Sequence, residues 1–319
     1  MTSANTKIEI RNLYKIFGET PDVMMQKVRE GVTKEQLNDE FNHVLGLNDI
    51  NMKIPEKGIQ VVMGLSGSGK STLIRHINRL IEPTAGEILV DGENVMDMRP
   101  DALRDFRRHR ASMVFQKFAL LPHRTVLENT QYGLEIQGIQ DKESKQRACH
   151  WIERVGLSGY ETNYPTQLSG GMQQRVGLAR ALATDADILL MDEAFSALDP
   201  LIRTDMQNIL LDLQQELHKT IVFITHDLEE ALRIGDQIAI LRDGRVVQQG
   251  TPERIVLKPK DDYIADFTKD INRGRVIKLK TIMSAPNDQA GPELSADMLV
   301  EDAAQLVTES PSSQARVVD

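Results

Sequence analysis

Residues 188–191 (ILLM) and 221–224 (IVFI) are two fully apolar runs. Runs of this length without a polar face are typical of strands that are buried on both sides of a parallel sheet. Residues 206–217, between them, show helical spacing, and a third short apolar run at residues 60–63 precedes another helix-spaced pattern. Strands that alternate with helices in this way predict an α/β core with a mostly parallel sheet.

Other stretches alternate apolar and polar residues, which is the pattern of a strand with one exposed face. Residues 7–17 alternate in this way and predict an early edge strand. Residues 86–90 lead into Asp91-Gly92, and residues 238–249 span Asp243-Gly244. Both dipeptides favour tight hairpin turns. The pattern therefore predicts an antiparallel, β-rich edge beside the parallel core.

Two longer stretches are predominantly helical in pattern. Residues 19–46 separate two strand-like stretches and predict an insertion of one or two helices, and residues 117–184 predict a helical subdomain. Composition shifts beyond residue 285, because residues 287–319 hold seven acidic side chains and one basic side chain. This shift predicts a C-terminal tail that differs from the rest of the chain.

The net charge of −9, from 47 acidic and 38 basic side chains, argues against nucleic acid as the main partner. A basic cluster formed by Arg104, Arg107, Arg108 and Arg110 is the local exception. A solvated helix face is the simpler interpretation of that cluster.

A single cysteine, Cys149, excludes an intrachain disulfide, which suits a reducing compartment. No further Cys or His lies at ligand spacing from it, so the sequence predicts no zinc site. The first 18 residues lack the apolar segment of a secretory signal, and no apolar run approaches ~18 residues. We expect membrane association only through a partner.

Residues 64–72 match the pattern G-x-x-x-x-G-K-S/T, between the predicted strand at residues 60–63 and the helix after it. Glycines let backbone N–H groups close around phosphate oxygens, and a helix N-terminus adds partial positive charge. A glycine-rich turn that binds nothing is the alternative, and the strand–loop–helix context favours phosphate binding. The candidate residues are Gly64, Ser66, Gly67, Ser68, Gly69, Lys70, Ser71 and Thr72.

Carboxylates and a histidine follow the two buried strands. Asp192 and Glu193 come directly after residues 188–191, where one carboxylate could hold Mg²⁺ or a water molecule bound to it, and the other could deprotonate an attacking water molecule. His226 follows the second strand and could sense the γ-phosphate. A helix-capping role is the alternative for its segment, because the flanking Thr225 and Asp227 both favour helix N-caps.

A second candidate anion site lies at residues 168–175, where Ser169, Gly170 and Gly171 precede an amphipathic helix. One nucleotide needs only one such site. A self-complementary dimer explains the second, because each chain could then close the phosphate loop of its partner.

These segments together resemble the full motif set of the ATP-binding subunits of ABC transporters. The resemblance covers roughly residues 7–270, with the motifs in the same order and spacing. It implies a main domain over residues 1–270 and a C-terminal tail over residues 271–319. It implies a P-loop NTPase core whose helical subdomain carries the signature motif. The motif-bearing stretches are residues 64–72, Gln116, residues 168–175, residues 188–193, residues 196–199 and His226.

The resemblance also implies roles for single residues. Lys70 and the loop bind the phosphates of ATP. Ser71 and Gln116 complete the Mg²⁺ site, and Asp192 is a carboxylate of that site that lies behind the direct ligands. Glu193 is the general base, and His226 contacts the γ-phosphate. The remaining implied sites are Phe17 for adenine stacking, for which a core position is the alternative, Asp199 for dimer contact, and Ser169, Gly170, Gly171 and Gln173 for the partner's ATP.

The details indicate one branch of that family. The insertion at residues 19–46 and the signature LSGGM at residues 168–172, where LSGGQ is commoner, look like importers of glycine betaine, proline betaine and related quaternary amines. Residues 280–286, 301–306 and 315–319 resemble the first half of a CBS module. A disordered acidic tail is the alternative for residues 271–319.

The sequence therefore predicts an ATP-hydrolysing subunit that forms a homodimer on the cytoplasmic face of a membrane. The resemblance implies permease subunits and an extracytoplasmic substrate-binding protein as partners, and glycine betaine, proline betaine, choline or trimethylamine N-oxide as cargo. An importer ATPase for another small polar solute, such as an amino acid, is the alternative. A soluble ABC ATPase without a transport role is disfavoured by the single phosphate loop and the negative charge.

Overall fold

The computed structural model describes residues 5–284, 291–309 and 315–318. Within them, six strands form a mixed sheet in the order β10-β9-β3-β8-β7-β6, and all neighbours except β9 and β10 run parallel. The described strands are β1 Thr6–Phe17, β2 Val44–Pro55, β3 Ile59–Met63, β4 Ala85–Val90, β5 Glu93–Asn94, β6 Ala111–Val114, β7 Ile188–Asp192, β8 Thr220–Thr225, β9 Gln237–Arg242, β10 Arg245–Gly250, β11 Glu293–Ser295 and β12 Arg316–Val318. The mostly parallel core and both predicted hairpins are confirmed.

A second, antiparallel sheet has the order β2-β1-β4-β5. The prediction that residues 7–17 form an edge strand is wrong, because β1 pairs with β2 on one side and with β4 on the other. Alternation of apolar and polar residues reports one buried face of a strand and carries no information on how many neighbours it has. The antiparallel edge itself is confirmed.

The helices of the described residues are α1 Pro21–Arg29, α2 Lys34–Phe41, α3 Lys70–Ile77, α4 Pro100–His109, α5 Val126–Gln137, α6 Asp141–Arg154, α7 Gly170–Ala183, α8 Pro200–Leu217, α9 Leu228–Ile234, α10 Pro252–Leu257, α11 Asp262–Thr268, α12 Leu279–Ile282 and α13 Val300–Glu309. Two helices, α1 and α2, lie between β1 and β2. Helices α5, α6 and α7 lie within residues 117–184. None of the helices in the described ranges is both long and apolar enough to cross a membrane.

Apolar residues on the two faces of the six-stranded sheet belong to separate cores. Val61 and Met63 of β3 pack with the helical residues of α7 and α8, whereas Val62 packs with α3 and the antiparallel sheet. The alternation of side chains along a strand produces this division. Burial on both faces explains why β7 and β8 read as continuous apolar runs.

The basic cluster lies on and just after α4, as the solvated-face interpretation predicts. Arg104 and Arg108 pair with carboxylates one turn away on the same helix, and Arg110 pairs with Asp91. Arg107 donates to the carbonyl oxygens of two residues after α3. These guanidinium groups are therefore engaged within the chain.

The described part of the tail contains α12, followed by a strand–helix–strand unit. Strands β11 and β12 pair in parallel, and α13 lies between them in sequence. Leu279, Leu294 and Ala303 form a small buried cluster. The described residues of the tail thus form helices and strands, while likeness to a CBS module stays a prediction. Residues 285, 286 and 319 of that predicted likeness lie outside the described ranges.

Candidate functional site

The carboxyl ends of the parallel strands bring several predicted residues together at one edge of the sheet. The phosphate-loop stretch follows β3, Gln116 follows β6 by two residues, Asp192 ends β7, and His226 follows β8. In an open α/β sheet this edge is where ligands bind. Strand ends that are far apart in sequence thus form one site.

The phosphate-loop stretch, residues 64–69, connects β3 to α3 with three glycines in left-handed backbone conformations. Gly64 has a φ of +153°, and a Cβ added there would lie 2.2 Å from the carbonyl oxygen of Leu241. A side chain at this position would collide with backbone, so only glycine fits. Gly69 precedes the first residue of α3, which places the helix N-terminus at the loop.

Lys70 is buried at the start of α3, with 4% of its surface exposed. Its Nζ donates to the carbonyl oxygens of Gly64 at 2.9 Å and Leu65 at 3.1 Å, and lies 3.7 Å from Oε1 of Glu193. Burial lowers the pKa of the Lys70 ammonium, and the neighbouring carboxylates of Glu193 and Asp192 oppose that shift. The ammonium is therefore held at the inner side of the loop, where it could bind phosphate oxygens.

Asp192 is a buried carboxylate that is held from two sides. Oγ of Ser71 donates to its Oδ1 at 2.7 Å. Nε and Nη2 of Arg75 donate to its Oδ2 at 3.2 Å and 2.9 Å. Ser71 and Arg75 lie one helical turn apart on α3, so a single helix face fixes both oxygens of Asp192.

Glu193 lies at the centre of the site in a strained backbone conformation. Its φ is +46°, which is unusual for a residue with a side chain. Nε2 of Gln116 donates to Oε2 of Glu193 at 3.0 Å, and Nδ1 of His226 lies 3.6 Å from the same oxygen. The carboxylate thus faces an amide, an imidazole and the ammonium of Lys70, in a place where it could accept a proton from water.

His226 does not cap the helix that follows it. The cap of α9 is Asp227, whose Oδ1 accepts a hydrogen bond from the backbone N–H of Glu230 at 3.1 Å. The His226 side chain is 55% exposed and is free to face Glu193. The capping alternative therefore applies to its neighbour, and His226 keeps its place as a candidate site residue.

Ser169 is the N-cap residue of α7, and its Oγ accepts a hydrogen bond from the backbone N–H of Met172 at 3.3 Å. Nε2 of Gln173 donates to the carbonyl oxygen of Leu168 at 3.2 Å and braces the same turn. A surface cavity of about 240 Å³ borders this turn, with Ser169 and Gly171 among its lining residues. The second candidate anion site is thus a capped helix start that borders an open cavity.

The structure does not join this second site to the first. Among the described residues, no hydrogen bond or ion pair connects residues 169–173 to Lys70, Asp192 or Glu193. Gly170 is the first residue of α7, and Gly171 has its Cα near Ile202 of α8. Whether both sites contact one nucleotide in a dimer stays a prediction.

Asp199 and Phe17 lie at two further positions of the predicted site. Oδ1 of Asp199 accepts from the backbone N–H of Ile202 at 3.1 Å and caps α8, while the neighbouring Leu201 is 77% exposed. Phe17 is 40% exposed at the end of β1, with Nζ of Lys15 at 5.1 Å from its ring centroid. The core alternative for Phe17 is therefore wrong, and its ring is accessible.

Two contributors were not predicted from the sequence. Arg75 binds Asp192, and the spacing of four residues from Ser71 along a helix was the signal that could have identified it. The second is Gly244, whose backbone N–H donates to the carbonyl oxygen of Ser68 at 3.1 Å and supports the loop from the β9–β10 turn. No pattern in the sequence links the β9–β10 turn to the loop.

The residues present fit a nucleoside triphosphate with Mg²⁺. The loop approaches backbone too closely for any side chain at Gly64, and Oγ of Ser68 is buried with no hydrogen-bond partner among the described residues. Such an unsatisfied hydroxyl suits a phosphate oxygen. The hydroxyl of Ser71 and the amide oxygen of Gln116 are hard oxygen ligands of the kind that Mg²⁺ prefers, and the carboxylate of Asp192 accepts the hydrogen bond of Ser71 behind them.

Comparison with known proteins agrees with this geometry. The family model described as ABC transporter matches residues 47–196. The glycine betaine transport ATP-binding protein OpuAA of Bacillus subtilis is 54% identical over 277 residues, which are 87% of this chain and 66% of that protein. The glycine betaine/proline betaine transport ATP-binding protein ProV of Escherichia coli is 52% identical and is covered to 69%. The chain thus spans about two thirds of the length of these betaine-transport relatives.

Relatives of similar length to this chain also match. The trimethylamine N-oxide transport ATP-binding protein TmoW of Ruegeria pomeroyi is 44% identical over 98% of this chain and 92% of its own length. Among solved structures, the dimeric bacterial ABC transporter cassette MJ0796 superposes with a TM-score of 0.66, at 33% identity, over 77% of this chain and 98% of that one.

Proposed function

Because the chain belongs to the ATP-binding subunits of ABC transporters, we propose that it hydrolyses ATP to energise the uptake of a quaternary or tertiary amine. Its relatives are named for glycine betaine, proline betaine and trimethylamine N-oxide transport. Choline carries the same trimethylammonium group as glycine betaine and belongs to the same class of cargo. The observation that carries the proposal is the convergence of Lys70, Asp192, Glu193 and His226 at the phosphate loop.

We assign each residue of the site a separate role in ATP hydrolysis. Lys70 and the loop N–H groups hold the phosphates, and Phe17 stacks on the adenine. Ser71 and Gln116 would hold Mg²⁺, with Asp192 acting from behind them through Ser71, and the ion would neutralise charge that develops on the phosphates. Glu193 accepts the proton of the attacking water, and His226 orients the γ-phosphate beside it. Catalysis is positioning and electrostatic stabilisation rather than covalent chemistry.

The second helix start leads to the proposed assembly. Ser169, Gly170, Gly171 and Gln173 of one subunit contact the ATP that is bound by the other, and Asp199 lies at the contact between the two. The resulting homodimer binds permease subunits at the cytoplasmic face of the membrane and is peripheral to it. An extracytoplasmic substrate-binding protein delivers the amine.

Uptake by the assembled transporter tests the proposal. The chain is reconstituted with its permease subunits and binding protein in proteoliposomes, and uptake of labelled glycine betaine, proline betaine, choline and trimethylamine N-oxide is measured with and without enclosed ATP. Methionine is the comparison solute, because two methionine importers are 42% identical over 77% of the chain. We expect ATP-dependent uptake of at least one amine. Uptake of methionine alone would contradict the amine class.

A further inference from the structure

The α1–α2 segment, residues 19–43, packs behind the strand ends that carry Phe17. Phe17 is the last residue of β1 and lies opposite Val44 at the start of β2. The apolar cluster beneath the segment joins both strand ends to both helices, and its buried members are Ile16, Met24, Met25, Leu37 and Leu45. The segment is thus anchored on the residues that immediately precede Phe17 and Gly46.

The ring of Phe17 faces away from this cluster. Successive side chains of a strand point to opposite faces, so burial of Ile16 against the α1–α2 segment directs Phe17 to the other side. Its ring lies so close to Gly46 that a Cβ added there would be 2.7 Å from it. The carbonyl oxygen of Gly46 in turn lies 2.6 Å from the position of a Cβ at Gly69, in the phosphate loop. The ring of Phe17 therefore lies against the backbone of Gly46, which is next to the phosphate loop.

His43, the last residue of the α1–α2 segment, contacts the turn that follows Phe17. Its Nδ1 lies 2.6 Å from the carbonyl oxygen of Phe41, and its Nε2 accepts a hydrogen bond from the backbone N–H of Thr20 at 3.1 Å. The two partners assign the proton to Nδ1. The ring also presses on Gly18, which has a φ of +150° and where an added Cβ would lie 2.1 Å from the ring. His43 is 7% exposed, so these contacts are shielded from water.

We propose that His43 is a positioning residue for adenine binding, which acts through Gly18 and Thr20 to hold the ring of Phe17 in place. The inference rests on the proposed stacking of Phe17 on the adenine of ATP. Without His43, the turn after Phe17 loses a hydrogen-bond acceptor for Thr20 and the ring that packs on Gly18. The half-exposed Phe17 then gains freedom that nucleotide binding must remove. We expect contacts to the phosphates to be unaffected, because the loop at residues 64–71 and His226 both lie outside the α1–α2 segment.

The first experiment distinguishes the contribution of the adenine base to binding from the contribution of the phosphates. Calorimetry of the full chain measures the affinity for ATP and for inorganic tripolyphosphate, in wild type, His43→Ala and His43→Gln. We expect His43→Ala to lower ATP affinity about fivefold, the order of a base–aromatic stacking contribution, and to change tripolyphosphate affinity less than twofold. His43→Gln keeps an acceptor for Thr20 and restores part of the loss. His109→Ala, at the end of α4, is the matched control and leaves both affinities unchanged.

A second set of variants tests whether His43 acts through Phe17. Phe17→Ala lowers ATP affinity, and His43→Ala adds nothing further in that background if it acts through Phe17. His43→Phe keeps a ring against Gly18 without an acceptor, and decides the question if His43→Ala fails to fold. It is expected to weaken ATP binding and to leave tripolyphosphate binding intact. Unchanged ATP affinity in Phe17→Ala would refute the proposed stacking itself. Loss in Phe17→Ala with none in the His43 variants, or an equal loss for tripolyphosphate, would overturn the role of His43.

Discussion

Replacement of Arg75 by methionine tests how the buried carboxylate of Asp192 is held. The guanidinium makes two hydrogen bonds to Oδ2 of Asp192, at 3.2 Å and 2.9 Å, and the carboxylate is 2% exposed while Arg75 is 43% exposed. In Arg75→Met the apolar stem remains, and Oδ2 loses both donors. Ser71 still donates to Oδ1.

The expected loss of stability depends on the burial of Asp192 and on the exposure of Arg75. Hydrogen bonds to a charged group contribute about 1.5–3 kcal/mol, and water around the exposed guanidinium reduces that value. We therefore expect the free energy of unfolding to fall by about 1–2 kcal/mol. Asp192 would also be less well oriented toward Ser71 and the proposed Mg²⁺ site, and loss of a residue that orients the groups around a metal costs about 10- to 100-fold in metal affinity or activity.

Urea unfolding gives the first quantity, and the Mg²⁺ concentration for half-maximal ATPase activity gives the second. Arg108→Met is the matched control, because Arg108 pairs with Asp105 at 3.7 Å on an exposed helix face. Arg108→Met should change the free energy of unfolding by no more than about 0.5 kcal/mol. If Arg75→Met matched the control in both stability and Mg²⁺ dependence, the argument that Arg75 holds Asp192 would be refuted.

Three further substitutions test other parts of the chain. Lys70→Ala removes the buried ammonium, so ATP affinity measured by calorimetry should fall at least about tenfold, and unchanged affinity would exclude a phosphate role. Ser169→Arg should abolish ATPase activity while the isolated subunit still binds ATP, and full activity would exclude a contribution of α7 to the partner's nucleotide. Burial raises the pKa of the Glu230 carboxyl, so the native state binds its proton more tightly than the unfolded chain, and stability is lost as pH rises through the native pKa. Glu230→Gln should therefore raise the free energy of unfolding at about pH 7 but not near pH 4, and a gain of equal size at both pH values would contradict the burial argument.

Local patterns in the sequence predicted the strands that position the site. Strands β7 and β8 are buried on both faces, so their apolar runs reveal them directly. The loop at residues 64–69 was predicted for a similar reason, because its glycines meet a local requirement of the backbone. Glu193 and His226 directly follow such strands, so the sequence alone places both residues at the same sheet edge.

Contacts between distant segments could not be predicted in this way. Arg75 and Asp192 are separated by 117 positions, and the pairing exists only because α3 packs against β7. His43 binds Thr20 across the whole α1–α2 segment, and neither residue belongs to a recognised pattern. The neighbours of β1 were mistaken for the same reason, since pairing depends on where β4 lies. Periodicity describes one element, whereas these contacts depend on the packing of two.

Substitution of Glu193 by glutamine tests the central claim most directly. The amide keeps the shape of the side chain beside Gln116 and His226 but cannot accept the proton of water. ATP affinity and the steady-state hydrolysis rate are measured on the same preparation of the full chain. We predict that Glu193→Gln binds ATP at least as tightly as wild type and hydrolyses it at least about 100-fold more slowly. Hydrolysis by Glu193→Gln at the wild-type rate would contradict the assignment of Glu193 as the general base.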